Sequence, residues 1–298
     1  MTLEQLRIFV AVAEREHMTR ASEALGLVQS AVSAAIAALE ARHKTALFHR
    51  LGRRIELTEA GRIFLEEARA VLARAAAAEQ ALAELGNLNS GTLAVHASQT
   101  IASYWLPRHL VRFHQTYPYV SIRLSIGNSA QVAKAVLEGE SELGFIEGHV
   151  DAAPLEDRII SGDRLVIVTS RAHPWTQRER IAPGDLLGSD WVLRERGSGT
   201  RSEFEEALKQ VNLSPAKLRV VMELPSNEAV RAAVEASGGA TALSELVVSA
   251  AIAEGRLCRI GFDLPTRDFH VLRHPERYQS KAAEAFLGLL DARQPEPV

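Results

Sequence analysis

Apolar residues in the first forty positions recur at helical spacing and predict three short helices. The first covers Leu3 to Glu14. Thr19 is expected to cap the second helix, and Gly26 to end it in a left-handed backbone conformation. Gln29 or Ser30 then opens the third helix only a few residues later. Two short helices joined by so tight a connection form a helix-turn-helix.

The third helix has one apolar face and one small, polar face. Its apolar positions fall at helical spacing and must face a core: Val32, Ile36 and Leu39. The outward face is left with small or polar residues, namely Gln29, Ser30, Ser33, Ala34 and Ala37. Such a face suits the major groove of DNA, where we expect Gln29 and Ser33 to read base edges.

Positive charge is concentrated directly after this helix, although the whole chain has a net charge of −3. Residues 42–54 contain five Lys or Arg and no Asp or Glu. Such a cluster is usually a solvated loop, but its position after a helix-turn-helix favours contact with DNA. We expect a wing between Leu47 and Leu57. Arg53 and Arg54 would reach phosphates or the minor groove, and Arg50 would belong to the same DNA-binding surface.

A long helix capped by Thr58 is predicted to follow the wing. From Phe64 onwards its apolar residues alternate in steps of four and three, through Ala68, Val71, Ala75, Ala78, Leu82 and Leu85. This heptad seam favours a coil that pairs two copies of the chain. The alternative is a helix packed on its own chain. Asn, Ser and Gly between residues 86 and 91 predict a hinge where the helix ends.

After Gly91 the pattern changes to strands alternating with helices, which is typical of parallel or mixed α/β sheets. The predicted strands are Thr92 to Ala97, Ser121 to Ile126, Leu143 to Ile146, Leu165 to Ser170, Trp191 to Arg194, Arg219 to Leu224, Thr241 to Leu243, Arg256 to Ile260 and Phe269 to Arg273. The predicted helices are Ile101 to Gln115, Ala130 to Glu138, Thr200 to Val211, Asn227 to Ala236, Glu245 to Ala253 and Lys281 to Ala292. A split near residues 160–165 and a return near 265–270 would make two lobes. The predicted fold class is therefore α + α/β.

Four of the predicted strand-to-helix corners carry hydroxyl or amide side chains, and helix N-termini at such corners attract anions. The corners are Ser98, Gln99 and Thr100; Asn128 and Ser129; Gly197 to Arg201; and Ser226 and Asn227. Taken singly, such a corner is more often a plain helix cap.

The glycine-flanked corner differs from the other three. Gly197 and Gly199 would let the backbone approach a ligand, and Ser198 and Thr200 supply hydroxyl donors. Arg196 and Arg201 add positive charge on either side. Together these residues predict an oxyanion cradle.

Residues 3–61 resemble the winged helix-turn-helix of LysR-type transcriptional regulators. The residues that carry the resemblance are Leu3, Ala21, Leu25, Gln29, Val32, Ser33, Ile36, Leu39, Glu40, Leu47, Phe48, Arg50, Leu57, Thr58 and Gly61. Length and layout extend it over the whole chain. Family members commonly carry Pro where this chain has Ser30, and Arg or Lys where it has Ala34. A base or phosphate contact expected at Ala34 therefore cannot form.

The resemblance implies a two-lobed effector domain of periplasmic-binding-protein type, with the effector contacted by Ser98, Thr100, Ser198 and Thr200. We expect the remaining effector contacts at neighbouring positions: Gln99, Asn128, Ser129, Glu147, Arg196, Arg201 and Asn227. The family resemblance also implies a homodimer that assembles to a homotetramer on a double-stranded DNA operator with an interrupted inverted repeat. RNA polymerase is a further candidate partner. The sequence of residues 194–201 looks like that of the LysR-type branch that regulates carbon fixation and sulfur assimilation genes.

Other functional classes fit the sequence less well. A Gly-x-Ser-x-Gly elbow, a His-Glu-x-x-His motif and paired Cys are all missing, and the ten His are scattered singly. We therefore expect no enzyme, no metal site and no cofactor. His149 and Asp151 could approach a cleft with Glu147, but a lone loop His near a carboxylate is much more often a surface residue. An exported solute receptor would share the two lobes but needs a secretory signal and no DNA-binding head.

The chain of 298 residues is long enough for two or more domains with sizeable cores. We divide it into a DNA-binding domain at 1–57, a linker helix and hinge at 58–90, and an effector-binding domain at 91–298. Apolar runs fall short of the roughly 20 residues of a membrane span, and the N-terminus lacks the order of a secretory signal. The expectation is a cytoplasmic regulator with no membrane partner, controlled by a small anionic effector.

Overall fold

The computed structural model describes residues 1–51, 54–86 and 91–291, with the backbone alone at 50, 51, 54, 77, 80, 81 and 83–86. The described chain divides into two compact units. The first is Met1–Gly86 with Glu138–Glu140, and the second is the remainder. A helical first unit and an α/β second unit confirm the predicted fold class.

Among its described residues, the first unit has four helices and a two-stranded antiparallel wing. They are α1 (Leu3–Arg15), α2 (Met18–Leu25), α3 (Gln29–His43), β1 (Phe48–Leu51), β2 (Arg54–Leu57) and α4 (Glu59–Gly86). Gly26 ends α2 with φ 66°, the left-handed conformation predicted for it. The predicted cap at Thr19 is wrong. The helix begins at Met18, and the His17 ring accepts the N–H of Arg20 instead.

Phe9 on α1 lies at the centre of the core of this unit. Its ring centroid is 5.5 Å from that of Phe48 in the wing and 4.7 Å from that of Phe64 on α4. The predicted apolar face of α3 packs into the same core. Its three residues are each at most 2% exposed, namely Val32, Ile36 and Leu39. Burial of this face fixes the opposite face of α3 toward solvent.

Helix α4 begins as predicted, because the Thr58 hydroxyl accepts the N–H of Gly61 over 2.9 Å. Its heptad seam divides into two parts. Ala68 is 1% exposed and belongs to the core around α1, which is the own-chain packing considered as the alternative. Val71 and Leu82 are 42% and 71% exposed in this single chain, so the later part of the seam remains uncovered by the described residues.

The second unit contains a nine-stranded mixed sheet with helices packed on it, counted over its described residues. Its strands are β3 (Gly91–Ser98), β4 (Val120–Gly127), β5 (Leu143–Glu147), β6 (Glu156–Ser170), β7 (Asp190–Arg194), β8 (Arg219–Leu224), β9 (Ala240–Ser244), β10 (Leu257–Arg259) and β11 (Thr266–Arg273). Its α-helices are α5 (Leu106–Thr116), α6 (Ser129–Glu138), α7 (Gly199–Gln210), α8 (Asn227–Ala236), α9 (Glu245–Ala253) and α10 (Lys281–Asp291). Short helical segments occur at Ile101–Trp105, Pro174–Gln177, Pro183–Gly188 and Pro215–Lys217, the first of them a π-helix.

Strand β6 runs through both lobes. The strand order is β4-β3-β5-β11-β6-β9-β7-β8, with β10 beside β6. The first part of β6 pairs with β11 as far as Arg164, and the part from Leu165 pairs with β9. The predicted split near 160–165 therefore lies inside one continuous strand. This strand begins at Glu156 rather than at the predicted Leu165. The sequence pattern missed its first half because that half is mostly exposed and polar and lacks an apolar run.

Each lobe has its own core. In the first lobe Phe113 and Phe145 pack edge-on against Phe286 from α10. In the second lobe Trp191 lies 5.0 Å from the ring of Phe204 on α7. Within the described residues, no single helix is long and apolar enough to cross a membrane, although α2 and α3, bent by 111°, reach that length and composition as a pair.

Candidate functional site

The outward face of α3 is mostly exposed. Gln29 and Ser30 are exposed and Ser33 is half-buried, and none of these side chains forms a hydrogen bond with another described residue. The helix begins at Gln29, and Val28 before it supplies no side-chain cap, so the first N–H groups of the helix are not capped by that side chain. The surface predicted to enter the major groove therefore combines unpaired side chains with a helix N-terminus.

The wing carries the predicted arginines on its two strands. In the antiparallel register Arg50 lies opposite Ile55, and Leu51 lies opposite Arg54. The side chains of Arg50 and Arg54, and the whole of Arg53, lie outside the described residues. Their roles in DNA binding remain predictions.

In the second unit, the first and fourth predicted corners contact each other across the lobes. Gln99 donates from Nε2 to the Pro225 carbonyl over 3.1 Å, and its Oε1 accepts the N–H of Asn227 over 2.9 Å. Tyr104, in the π-helix that follows, donates to Glu228 over 3.2 Å. These contacts close one side of the cleft between the lobes.

The second and third corners close the other side. Asn128 Nδ2 donates to Glu195 Oε1 over 3.1 Å, and the Ala130 N–H donates to the Gly197 carbonyl over 3.1 Å. Gly199 lies directly on the first lobe, since a Cβ there would be 2.4 Å from the Glu147 carbonyl oxygen. Only glycine permits this close approach.

Four hydroxyl residues predicted to contact the effector are almost completely buried at these corners. Thr100 is 0% exposed, and Ser98, Ser198 and Thr200 are each 2% exposed. Thr100 Oγ1 accepts from Asn227 Nδ2 over 3.1 Å. The Ser98 hydroxyl has no hydrogen-bond partner among the described residues, and Ser198 caps α7 without a side-chain hydrogen bond. The site therefore holds buried hydroxyls with unused bonding capacity.

Ser129 and Glu147 form a separate buried pair beside the cradle. Ser129 donates from Oγ to Glu147 Oε2 over 3.3 Å, and these residues are 1% and 3% exposed. Each therefore satisfies part of the bonding capacity of the other, and their contact with an effector stays a prediction.

The structure places the two predicted arginines away from the hydroxyls. Arg201 donates to Glu205 over 2.7 Å, to the Arg194 carbonyl over 3.0 Å, and to Glu223. Arg196 is exposed and lines a groove of about 620 Å³ together with Arg201 and Glu223. Arg196 or Arg201 was expected near the effector, and Arg201 instead pairs with Glu205, which lies one turn further along α7. An effector contact by either arginine stays a prediction.

Two other arginines, which the sequence analysis did not select, supply the positive charge beside the hydroxyls. Arg194, at the end of β7, is 4% exposed and donates to Asn227 Oδ1 over 2.5 Å. It also forms a forked pair with Glu195, with bonds of 2.8 and 3.0 Å. Burial alone would raise the pKa of the Glu195 carboxyl, but the hydrogen bonds and charge of Arg194, helped by Asn128, hold this pKa below its ordinary value.

Arg267 lies on β11 directly beside β6 and is 3% exposed. It donates to both oxygens of Asp163, with bonds of 2.5 and 2.9 Å, and to Thr200 Oγ1 over 3.1 Å. Burial opposes its charge, yet the hydrogen bonds that Arg267 donates to Asp163 and the negative charge of Glu147 raise the pKa of Arg267 above its ordinary value. Arg267 and Asp163 lie opposite each other on the antiparallel strands β11 and β6, outside the predicted bounds of both strands, so the sequence analysis could not pair them.

Comparison with known proteins agrees with both units. Residues 3–62 match the family model described as "Bacterial regulatory helix-turn-helix protein, lysR family", and residues 86–295 match that described as "LysR substrate binding domain". The chain is 35% identical over 293 residues to "Uncharacterized HTH-type transcriptional regulator YeiE" of Escherichia coli K12, covering 98% of this chain and 97% of that protein. It is 33% identical over 290 residues to a "Probable RuBisCO transcriptional regulator" of Cyanophora paradoxa, covering 96% and 90%.

Solved structures show the same architecture. The crystal structure of CbnR, a LysR family transcriptional regulator, aligns with a TM-score of 0.72 at 23% identity, covering 97% of this chain and 98% of CbnR. The regulatory domain of Synechocystis CcmR in complex with 2-PG aligns with a TM-score of 0.61 at 26% identity, covering 67% of this chain and 96% of that domain. The first of these likenesses concerns the fold alone.

Proposed function

The chain belongs to the LysR family of bacterial transcriptional regulators, and from that premise we propose that a small anion bound between the two lobes controls it. It is a DNA-binding transcriptional regulator with a C-terminal effector-binding domain. The finer proposals are the charge of the effector, the residues that contact it, and the residues that contact DNA.

The observation that carries the effector proposal is the buried, unpartnered hydroxyl of Ser98. Buried polar groups are nearly always hydrogen-bonded, so an unpartnered one at a cleft is a reason to expect a ligand. Ser198, from the other lobe, likewise leaves its hydroxyl free of a capping bond. Thr100 and Thr200 lie at the same corners. The 2-PG complex of the CcmR domain supports a small-molecule effector for this chain as well.

We assign the remaining expected effector contacts by their places at the corners. Gln99, Asn128 and Asn227 join the lobes by hydrogen bonds, and an effector would have to share or displace those bonds. Ser129 and Glu147 border the cradle. Because the relatives are regulators, we assign this cleft a binding role and no catalytic one.

The DNA-binding proposal rests on the free face of α3. Gln29 and Ser33 would read base edges, while Ser30, Arg50, Arg53 and Arg54 would contact the backbone or minor groove.

The exposed apolar positions of α4 would pair two chains, and the dimers would assemble to tetramers on an interrupted inverted repeat. We assign residues 1–57 to DNA binding, residues 58–90 to the linker and residues 91–298 to effector binding. We also propose that the regulator acts in the cytoplasm, with RNA polymerase as a candidate partner.

Thermal unfolding of the full chain with a panel of sulfate, phosphate and small carboxylates tests the effector proposal. A ligand at about a hundredfold its Kd should stabilise the second unit by roughly 2.7 kcal/mol. Ser98→Ala combined with Ser198→Ala should remove that gain, whereas Ser249→Ala, at an exposed position on α9, should keep it. Stabilisation by neutral or cationic compounds alone would contradict an anionic effector.

DNA binding at several salt concentrations tests the surface of the head. Replacing both Arg53 and Arg54 by Ala should weaken binding to all sequences and reduce the salt slope by roughly one unit per lost phosphate contact. Removing the exposed Arg164 and Arg171 of the second unit changes the net charge equally and should leave the slope unchanged. Ser33→Ala should instead reduce discrimination between operator and random DNA; equal losses on both would exclude a base contact.

A further inference from the structure

We infer that Arg194 and Arg267 fix two threonine hydroxyls as hydrogen-bond donors, so that the cleft selects an oxyanion that carries no proton. Neither arginine need touch the effector; each is a positioning residue that acts through the group it holds. The inference rests on the proposed effector site and extends it from a location to a chemical class.

The orientation of Asn227 follows from Arg194. A guanidinium has five N–H donors and no acceptor, so the amide atom 2.5 Å from Arg194 Nη1 must be Oδ1. The other amide atom is then Nδ2, a donor, and it lies 3.1 Å from Thr100 Oγ1. The network, rather than the appearance of the amide, settles which atom is which. Thr100 Oγ1 is therefore an acceptor toward Asn227, and its own proton must be donated elsewhere.

Arg267 holds the hydroxyl of Thr200, which belongs to the other lobe, in the same way. Arg267 Nη1 lies 3.1 Å from Thr200 Oγ1 and can only donate to it. The guanidinium itself cannot turn away, because two of its nitrogens bind Asp163 at 2.5 and 2.9 Å. Asp163 is fixed in turn by the Ser244 hydroxyl at 2.5 Å. Thr200, like Thr100, is left with a proton to donate.

Neither proton has an acceptor among the described residues. Thr100 and Thr200 are 0% and 2% exposed, so bulk water does not reach them in this arrangement of the lobes. A buried donor without an acceptor is unfavourable, and a ligand that brings acceptor oxygens removes this disadvantage. Ser98 adds a third buried hydroxyl with no partner.

Thr100 and Thr200 are fixed as donors, and donors fixed in this way discriminate by protonation, whereas the hydroxyls of Ser98 and Ser198 keep the freedom to accept. Sulfate and ionised carboxylates present only acceptors, whereas monohydrogen phosphate also carries a proton that needs an acceptor of its own. The Glu195 carboxylate is already bound by Arg194 and Asn128, and Glu147 accepts from Ser129. The geometry thus favours a fully ionised oxyanion over a protonated one of equal charge.

Equilibrium titration of the full chain with sulfate and with inorganic phosphate, in mildly alkaline buffer where both are dianions, tests this selectivity. Wild type should prefer sulfate by about tenfold or more. In Asn227→Asp both atoms facing Arg194 and Thr100 are acceptors, so Thr100 must donate to the new carboxylate and turn its lone pairs toward the ligand. The added negative charge weakens both dianions alike, so the ratio of sulfate to phosphate affinity should fall by about tenfold.

Ser226→Asp is the matched control, because it adds the same charge beside Asn227 and keeps an acceptor for the Ala229 N–H without altering the acceptor role of Thr100. It should weaken both ions and preserve their ratio. If Asn227→Asp does not fold, Thr100→Val should weaken sulfate by about tenfold, while Thr100→Ser, which keeps the O–H, should retain binding. Equal affinity of wild type for both ions, or an unchanged ratio in Asn227→Asp, overturns this inference and leaves the proposed effector site standing. Binding of neither ion would also overturn this inference, and the site itself would fail only if the small carboxylates did not stabilise the chain either.

Discussion

Glu40, near the end of α3, accepts a hydrogen bond of 2.8 Å from the backbone N–H of Leu47 at the entrance to the wing. The same carboxylate oxygen accepts the N–H of Phe48 over 3.2 Å. Bonds to an ionised acceptor are roughly twice as strong as neutral ones. One side chain therefore fixes the position of the wing relative to the helix proposed to read bases.

Glu40→Ala should loosen the wing and weaken DNA binding. Hydrogen bonds to charged groups contribute about 1.5–3 kcal/mol, and the two backbone donors would be left unpaired in a partly buried site. Hydrogen exchange at the amides of Leu47 and Phe48 should accelerate correspondingly. Glu23→Ala, at an exposed position on α2, removes the same charge and should leave both amides protected. Unchanged exchange in Glu40→Ala would show that the wing is held by its apolar contacts instead.

The two parts of the heptad seam on α4 should respond differently to substitution. Ala68→Asp places a carboxylate in the core around Phe9 and should destabilise the first unit by several kcal/mol, because the charge has no partner there. Val71→Asp with Leu82→Asp should leave that unit stable, since both positions are exposed in the single chain, but should weaken association of two chains. Thermal unfolding and sedimentation equilibrium separate the two effects. An unaltered assembly in the double variant would place dimerisation elsewhere.

His109 on α5 should make the stability of the second unit depend on pH. Its Nε2 accepts from Arg108 over 3.2 Å, so Nδ1 carries the proton, and this buried N–H has no partner among the described residues. Burial, and then the positive charges of Arg108 and Arg112, lower the pKa of His109 from 6.5 to about 4. The folded chain therefore holds this ring neutral.

The sign of the effect follows from which state binds the proton. Between pH 6.5 and about 4 the unfolded chain protonates this His and the folded chain does not, so stability falls as pH falls through that window. The loss is on the order of 2 kcal/mol near pH 5. His109→Gln should flatten this part of the profile in urea unfolding followed by Trp fluorescence. A profile of the same slope in the variant would assign the pH dependence to other groups.

Periodicity alone located most of the elements. The bounds of α8 and α9 match the predicted ones residue for residue, because each helix lies between a hydroxyl cap and a clear end of its apolar pattern. The first half of β6 was missed because its pairing with β11, rather than any apolar run, makes it a strand. The cap of α2 was misplaced because His17 can accept a hydrogen bond from its ring nitrogen just as Thr19 can from its hydroxyl.

The hydroxyl residues of the candidate site could be selected from the sequence, but the arginines beside them could not. Ser98, Thr100, Ser198 and Thr200 could be selected because strand-to-helix corners are visible in one sequence. The arginines could not be assigned in this way. Whether Arg201 or Arg267 faces Thr200 depends on the competing carboxylates Glu205 and Asp163, which only the folded chain brings into reach.

Gln99 should control how quickly the effector enters. Its side chain joins the lobes by two hydrogen bonds, to Pro225 and Asn227, while the hydroxyls behind it are at most 2% exposed. We therefore expect a ligand to reach those hydroxyls only when the lobes separate, so that the population of an open form would limit association. Gln99→Ala removes both bonds, each contributing about 0.5–1.5 kcal/mol, and the association rate of sulfate in stopped-flow measurements should rise by about tenfold. Gln210→Ala, at an exposed position on α7, should bind sulfate at the wild-type rate. A slower rate in Gln99→Ala would mean that Gln99 binds the effector directly instead of holding the lobes closed.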